Sequence, residues 1–328
     1  MLPRRRFLHL AAAGAAPPFV ARAASALDYP NRPIKLVLPF PPGGVFDIVG
    51  RPWADKVKTN LGTVIVENLP GAGGSVAANA VAHARPDGYT ILLGASSLHL
   101  TDMILRKKPL LDPMKELAAA SMLAMTAFAI DVHPTVPVHN LTELVAYVKA
   151  NPGKVAYGSP GAGTLAHLAG ELFKSLTGIT DLPHVPYRGG GPALADVIGG
   201  QVPMIVSAMT NQVLEFHRTE KLRLLAITNP TRLTVAPDIA TAAEAGVPGL
   251  VAQQALGLFT PAGTPKDVIE RIATANRVAL ADSAYRQSLI DAAVEPLPDW
   301  TPERFNLFMA EDVKRWGPLV QKLGIAID

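Results

Sequence analysis

The stretch PFPPGGVFD at positions 39–47 follows the apolar run IKLVL and leads into the helical pattern IVGRPWADKV. Its prolines fix the approach of the chain and have no N–H group to offer. Gly43 and Gly44 then leave backbone N–H groups bare at a helix start, where unsatisfied donors and the helix dipole favour a bound anion. Asp47 is expected in the first turn, as a cap or a partner of the dipole. Taken alone, such a loop is more often an ordinary capped strand-to-helix turn.

The same order of strand, glycine- or proline-rich loop and helix recurs along the chain, which predicts α/β units with largely parallel sheets. The apolar runs lie at 34–40, 63–68, 89–96, 154–160, 184–187, 202–209 and 222–228. The first half and the middle share this style without a fixed repeat, so we expect two similar α/β lobes. In the best-formed helical segment, TLAHLAGELFKSL, Leu165, Leu168, Leu172 and Leu176 fall at helical spacing and predict one apolar face.

The segment LAAASMLAMTAFAI at 117–130 is a continuous apolar run without turn residues. It fits one long strand that crosses between the lobes, and it also fits a buried helix, because alanine and methionine favour helix. We favour the crossing strand. Residues 249–265 would then form the return crossing.

Composition excludes several classes of site. The 328-residue chain is 49% hydrophobic and has no cysteine, so disulfides, cysteine-ligated zinc, iron–sulfur clusters and thiol catalysis are ruled out. The histidines form no H-E-x-x-H pair and show no metal-ligand spacing. No nucleophile with a paired base stands out, so we expect no catalysis, no metal and no cofactor.

The first 26 residues read as a cleaved export signal. Arg4, Arg5 and Arg6 precede a short apolar stretch, and Ala24-Ser25-Ala26 offers a cleavage site. The string RRRFL favours the twin-arginine route over an ordinary Sec signal. Removal of these residues changes the formal net charge from +3 to −1, because four arginines and no acid are lost. The mature chain therefore has little support for binding nucleic acid or a membrane surface.

The loop GSPGAGTLAHLAGE at 158–171 fits neither of two catalytic motifs that it approaches. Thr164 stands where a phosphate loop needs lysine, and Tyr157 stands where a nucleophile elbow needs glycine. What remains is a set of neutral donors: Ser159, Thr164 and free N–H groups. Thr164 fits an N-cap as well as a ligand contact, and His167 fits a structural role as well as a ligand contact.

Two further loops offer polar groups after strand ends, where α/β proteins place ligands. In PYRGGGPALADVIGGQV, Tyr187 and Arg188 precede another glycine-rich helix start. Arg188 fits a carboxylate partner, although an exposed arginine is the more frequent outcome. Ser96 and Ser97 follow the strand YTILLGAS. Several donor-rich, lysine-poor loops together predict capture of a small anion by dipoles.

The series of motifs resembles the Bug-type periplasmic receptors of tripartite tricarboxylate transporters. It runs in order through nearly the whole mature chain: YPNRPIKLVLPFPPGG (29–44), VENLPGAGGSVAA (66–78), ARPDGYTILLG (84–94), GSPGAGTLAHLAGELFKSLTG (158–178), HVPYRGGGPALADVIGGQV (184–202), LRLLAITNPTR (222–232), AEAGVPGL (243–250) and GLFTPAGTP (257–265). Each motif is weak alone, and the ordered series is highly specific.

The resemblance implies a two-lobed periplasmic binding protein fold of type II, in which each lobe is a mostly parallel sheet flanked by helices and two crossing strands form the hinge. Lobe 1 would comprise 27–126 and 251–328, and lobe 2 would comprise 127–250. The implied function is to hold a small carboxylate or dicarboxylate between the lobes, in the periplasm, and to deliver it to the membrane permease subunits of the transporter. Such receptors are usually monomers. Transferred position by position, the ligand-binding residues would be Gly43, Gly44, Val45, Asp47, Ser96, Ser97, Ser159, Gly163, Thr164, His167, Tyr187, Arg188, Gly189 and Ser207.

The sequence departs from the family pattern at two places. Ser207 replaces an acid that often faces the pocket, and Ala255-Leu256 stand where an aromatic pair is usual. Both changes make the site less acidic and roomier, which argues against a ligand with an amino group. We therefore expect acids with an uncharged tail, or dicarboxylic acids, to bind better than amino acids.

Two other functions remain open from the sequence. The closed receptor would serve a periplasmic signalling partner equally well, because no residue pattern separates transport from sensing. An exported α/β hydrolase is a weaker alternative, since it needs a nucleophile with a base.

Overall fold

The computed structural model describes residues 29–298 and 300–327. The predicted export signal, 1–26, lies outside the described residues. Ten strands form one mixed sheet in the described part of the chain. They are β1 Ile34–Leu38, β2 Val64–Asn68, β3 Thr90–Ala95, β4 Leu117–Val132, β5 Tyr157–Ser159, β6 His184–Pro186, β7 Met204–Ala208, β8 Arg223–Ile227, β9 Gln253–Pro261 and β10 Glu295–Pro296.

Helices connect these strands and cover the sheet. They are α1 Val45–Lys56, α2 Lys58–Leu61, α3 Ser75–Ala82, α4 Ser96–Leu100, α5 Pro113–Glu116, α6 Leu141–Ala150, α7 Leu165–Thr177, α8 Gly190–Ile198, α9 Asn211–Arg218, α10 Lys266–Ala281, α11 Ser283–Asp291 and α12 Pro302–Leu323. A 3-10 turn at Ala72–Gly74 precedes α3, and a π-helical turn at Thr101–Leu105 follows α4. None of the helices in the described residues has the length and apolar character needed to cross a membrane.

One strand runs through both halves of the sheet. β4 pairs antiparallel with β9 over its first part, Leu117–Ala127. Its last part, Phe128–Val132, pairs with β7 and β8. The prediction of a crossing strand at 117–130 is therefore confirmed, and the helical alternative is wrong. We call β1–β3, β9 and the first part of β4 the lobe 1 sheet, and β5–β8 and the last part of β4 the lobe 2 sheet.

Each lobe sheet combines parallel pairs with the antiparallel crossing strands. β1 pairs parallel with β2 and β3 in lobe 1, and β5 pairs parallel with β6 and β7 in lobe 2. The α/β fold with two lobes is as predicted. Of the two predicted crossing strands, β4 pairs in both lobe sheets, whereas β9 pairs only with β3 and with the first part of β4 in lobe 1. The exact boundaries, 27–126, 127–250 and 251–328, remain predictions.

The last helix packs on both lobes. Phe305 and Met309 of α12 lie in a core cluster with lobe 1 residues, whereas Trp316 and Val320 lie in a cluster with lobe 2 residues. In α7, the predicted apolar stripe is shorter than its spacing indicates. Leu176 is 45% exposed, because the last turn of that helix extends past the core.

Candidate functional site: the cleft between the lobes

A cleft lies where the two lobe sheets meet, and it holds about 610 Å³ of space not occupied by atoms, including its opening. Its lining comes from both lobes, as predicted for a two-lobed receptor. Lobe 1 contributes Phe40, Gly43, Gly44, Val45, Phe46, Ser97 and Gln254. Lobe 2 contributes Phe128, Pro160, Thr164, Ala166, Gly190, Leu194, Ser207, Ala208, Thr210, Gln212 and Val213.

The lining contains no lysine, arginine, histidine, aspartate or glutamate among the described residues. Its polar side chains are hydroxyls and carboxamides, and most of the remaining lining is aliphatic or aromatic. A charged ligand in this cleft therefore meets neutral donors and backbone dipoles. Such a site suits an anion only if open N–H groups point to it.

The lobe 1 wall supplies open N–H groups at the start of α1. Gly44 is the N-cap residue, and no side chain caps the helix. The Gly44 carbonyl is the first acceptor of the helix, and it accepts hydrogen bonds from Asp47 N at 3.0 Å and from Ile48 N at 3.1 Å. The amides of Val45 and Phe46 thus sit in the first turn, where a helix has no acceptor of its own for them. Together with the helix dipole they favour a carboxylate.

Asp47 is in the first turn of α1, as predicted, but its carboxylate does not line the cleft. Its Oδ1 accepts from Arg51 Nε at 2.8 Å, and its Oδ2 accepts from Gly43 N at 3.4 Å. Gly43 itself has φ +89°, a conformation that favours glycine. Asp47 therefore fixes the loop, and the structure gives it no direct place beside a ligand.

The start of α8 meets the start of α1 across the lobe boundary. Its N-cap residue is Gly189, which has no side chain, and Gly190 lines the cleft. A Cβ on Gly189 would lie 2.9 Å from Pro41 Cδ, and one on Gly191 would lie 3.4 Å from the Pro42 carbonyl oxygen. Bare glycines thus let the two loops touch, and two helix N-termini approach one cleft.

In the loop after β5, on the lobe 2 wall, the backbone amides of two glycines donate hydrogen bonds within the loop itself. Gly161 N donates to Ser159 Oγ at 3.2 Å, and Gly163 N donates to His167 Nδ1 at 3.2 Å. Thr164 Oγ1 donates to the Gly161 carbonyl at 2.8 Å and accepts from His167 N at 3.4 Å, so it caps α7. The loop was predicted to offer free N–H groups, and those of Gly161 and Gly163 are instead occupied within the loop. Of the residues predicted here, Thr164 lines the cleft, whereas Ser159, Gly163 and His167 lie behind it.

Two serines of the predicted set stand on the cleft floor. Ser97 Oγ donates to Gln254 Oε1 at 3.2 Å. Ser207 is 4% exposed, and its Oγ has no hydrogen-bond partner among the described residues. A buried hydroxyl without a partner costs free energy, so Ser207 Oγ is available to a ligand or to water.

The remaining predicted residues do not line this cleft. Ser96 lies beneath it, and its Oγ accepts from Ala255 N at 3.4 Å. Tyr187 and Arg188 line a neighbouring groove, which shares Phe40 and Pro160 with the cleft. Burial first, and then a hydrogen bond to Asp196, raises the pKa of Tyr187 to about 12. The Ala255-Leu256 pair is fully buried in the lobe 1 core, so that departure from the family pattern changes core packing and does not enlarge the cleft.

Sequence reasoning missed more than half of the lining. The sequence gives no sign that Phe40, Phe46, Phe128, Leu194 and Val213 line a cleft, because apolar residues are equally at home in a core. Thr210, Gln212 and Gln254 carried a usable signal. Gln254 is a polar residue within the apolar run of the return crossing, whereas Thr210 and Gln212 lie at the start of α9, shortly after β7.

Comparison with known proteins is consistent with this geometry. Residues 49–325 match the profile of the tripartite tricarboxylate transporter family receptor. The chain belongs to that family. The protein BugT of Bordetella pertussis is 34% identical over 307 residues, which cover 93% of this chain and 93% of that protein.

Three solved structures extend the comparison. The periplasmic binding protein BugD has a TM-score of 0.86 and 31% identity, with 91% of this chain and 99% of that chain covered. Rpa4515 of R. palustris, with adipate, has a TM-score of 0.87 and 28% identity, with 91% and 99% covered. MatC from Rhodopseudomonas palustris, with bound malate, has a TM-score of 0.83 and 30% identity, with 89% and 100% covered. The receptor is thus of the Bug type, as its motifs predict, and its relatives are solute-binding proteins.

Proposed function

We propose that this receptor captures a small mono- or dicarboxylate in the cleft between its lobes and delivers it, in the periplasm, to the permease subunits of a tripartite tricarboxylate transporter. The observation that carries the proposal is the combination of an uncharged lining with two uncapped helix starts, α1 and α8, at one cleft.

The available hydrogen bonds are of the size that such binding needs. A hydrogen bond to a charged group contributes ~1.5–3 kcal/mol, and a micromolar complex requires about 8 kcal/mol. Four or five donors therefore suffice if ordering costs are small. The amides of Val45 and Phe46, those of the first turn of α8, and the hydroxyl of Ser207 are candidates for this set.

The apolar walls suit the carbon skeleton of an organic acid. Phe40, Phe46, Phe128, Leu194 and Val213 surround the polar groups. Adipate and malate, which are bound in two solved relatives, are both dicarboxylates. No carboxylate in the lining would receive an ammonium group, so amino acids should bind less well.

The geometry also supports binding without catalysis. Ser159 Oγ and His184 Nε2 are 2.7 Å apart, which is the contact that a hydrolase nucleophile needs. Ser159, however, is fully buried, bonds within its own loop and does not line the cleft. A bound ester would not reach its hydroxyl.

A calorimetric screen of the mature receptor tests the proposal. We expect malate, succinate and adipate to bind with dissociation constants of roughly micromolar order, and aspartate and glutamate to bind at least about tenfold more weakly. Glucose and lysine serve as neutral and cationic controls. Tighter binding of aspartate than of succinate would contradict the ligand class, and hydrolysis of a bound ester would contradict the absence of catalysis.

A further inference from the structure

Behind the lobe 2 wall lie two imidazole rings in contact. His167, on α7, and His184, on β6, stack with ring centroids 4.0 Å apart and an angle of 17° between their planes. The ring of Tyr157 lies 4.9 Å from that of His184. None of the three lines the cleft. The pair nevertheless contacts the segment 159–164 from behind.

His167 fixes one end of this segment. Its Nδ1 accepts from Gly163 N at 3.2 Å, so this nitrogen must keep its lone pair. Gly163 has φ +80°, and its carbonyl oxygen accepts from Thr101 Oγ1 at 2.8 Å. The peptide on either side of Gly163 is therefore held by two different elements, directly before Thr164 at the cleft.

His184 fixes the other end. Its Nε2 is 2.7 Å from Ser159 Oγ, and Ser159 Oγ accepts from Gly161 N at 3.2 Å. The contact joins β6 to the loop that leaves β5. With both ends held, the amides of 161 and 163 are turned inward, and Pro160, Thr164 and Ala166 form the cleft wall.

Burial, more than the charged groups nearby, lowers the pKa of both imidazoles and so disfavours their charged form. Burial, more than any other cause, lowers the pKa of His167, and the nearby Lys174 acts in the same direction while Glu171 opposes them. Burial, His167 and Lys174 lower the pKa of His184 to about 3. Glu171 is itself occupied, since it accepts from Tyr157 Oη at 2.8 Å and from Lys174 Nζ at 2.9 Å.

We infer that His167 and His184 are positioning residues for ligand binding: as a stacked pair, they hold the segment 159–164 in the shape that presents Thr164 and the first turn of α7 to the cleft. This inference rests on the proposed function of the cleft. It assigns the two histidines no direct contact with the ligand.

Two variants of His167 distinguish the role of its acceptor nitrogen from the role of its ring. His167→Asn places an oxygen acceptor near the position of Nδ1 but cannot titrate, whereas His167→Ala removes the acceptor. The amide of Gly163 in 15N-glycine-labelled protein reports directly on the bond. We expect its hydrogen exchange to be at least about tenfold faster in His167→Ala, and close to that of the wild type in His167→Asn. Equal exchange in all three proteins, or equally fast exchange in both variants, would overturn the inference.

Binding of malate and adipate, used as probes at pH 7, connects the segment to the ligand. We expect His167→Ala to lower their affinity about tenfold and His167→Asn to stay within about threefold of the wild type. Unchanged affinity in His167→Ala would overturn the positioning role. The exchange measurement at the Gly163 amide needs no ligand. If neither malate nor adipate binds the wild type, that result contradicts the proposed function of the cleft. The exchange rates would then still show whether His167 holds the segment 159–164.

Discussion

Two strand-to-helix loops face each other across the cleft, and they use their backbone amides in opposite ways. The loop 39–46 ends in an uncapped helix start, with the amides of Val45 and Phe46 open. The loop 159–166 has a capping threonine and binds its glycine amides to Ser159 and His167. Both loops are rich in proline and glycine. The difference lies in the neighbouring side chains. Ser159 and His167 accept from the amides of Gly161 and Gly163, whereas no side chain caps the start of α1.

This comparison assigns different tasks to the two loops. The loop 39–46 offers open amides to a charged ligand, whereas the segment 159–164 forms a fixed part of the cleft wall, because its glycine amides are bound within the loop. The four predictions below test that division, from the largest expected effect to the smallest.

The strongest test fills the space in front of the open amides. Gly44 has an extended backbone, and a Cβ there meets no atom within 4 Å. Gly44→Val should therefore fold normally but shield the start of α1, and affinity for malate or adipate should fall about a hundredfold. Gly317→Val is the matched control, because Gly317 also has open space and lies in α12, away from the cleft. Calorimetry that shows similar affinity for the two variants would break the assignment of the lobe 1 wall.

The second test measures how acid lowers the stability of the protein through His184, behind the lobe 2 wall. The unfolded chain protonates histidine near pH 6.5, whereas the pKa of His184 is lowered to about 3 in the folded protein, chiefly by burial. Between these pH values the unfolded state binds more protons than the folded state. The contribution of neutral His184 to the free energy of unfolding is therefore fully present above pH 6.5 and is lost as the pH falls toward the folded pKa. At ~1.4 kcal/mol per pH unit, His184 should account for a loss of about 2 kcal/mol between pH 6.5 and 5.

His184→Phe keeps a stacked ring without a titrating group, and it is the control for this test. Urea unfolding at both pH values should show a smaller loss of stability in the variant than in the wild type. The same loss in both proteins would show that His184 is not held neutral, and the description of the lobe 2 wall would need revision.

The third test adds a charge to the cleft floor. Ser207 Oγ is buried without a partner among the described residues, so Ser207→Asp would place a carboxylate beside the ligand. We expect affinity for adipate to fall about tenfold through like-charge repulsion, with a relative gain for aspartate. Ser207→Asn is the control, because asparagine has nearly the size of aspartate without its charge, and it should bind adipate more tightly than Ser207→Asp does. A variant Ser207→Asp that binds adipate undiminished would show that this side chain does not face the ligand.

The smallest effect is expected at the exposed arginine. Arg188 lies in the neighbouring groove and does not line the cleft, so Arg188→Ala should change affinity for malate by less than about threefold. Titration at low and high salt should give similar results, because no exposed cation holds the ligand. If the single substitution Arg188→Ala abolishes binding, the ligand is held by a cationic side chain and not by backbone dipoles.

The sequence predicted most of the fold for identifiable reasons. The uninterrupted apolar run 117–130 has no turn residue, and a long strand shared by two sheets keeps most of it buried. The strand–loop–helix order likewise predicts parallel pairing. The structure differs in details that depend on distant contacts, such as the exposed end of the α7 stripe.

The site was less accessible to sequence reasoning. Gly43, Gly44, Val45, Ser97, Thr164 and Ser207 of the predicted set do line the cleft. The occupied amides of the segment 159–164 were not foreseen, although their acceptors on Ser159 and His167 are only two and four positions away, because the sequence does not show which way a side chain turns in a loop. The apolar lining was missed for another reason: the residue type that fills a core also forms the wall of a cleft.

The central claim is that backbone amides at the start of α1, rather than a cationic side chain, hold the carboxylate of the ligand. A crystal structure of the receptor with adipate tests it most directly. We predict carboxylate oxygens within about 3 Å of the amide nitrogens of Val45 and Phe46, with the hydrocarbon chain against the phenylalanines of the cleft. A carboxylate bound to Arg188, or bound away from the start of α1, would contradict the account.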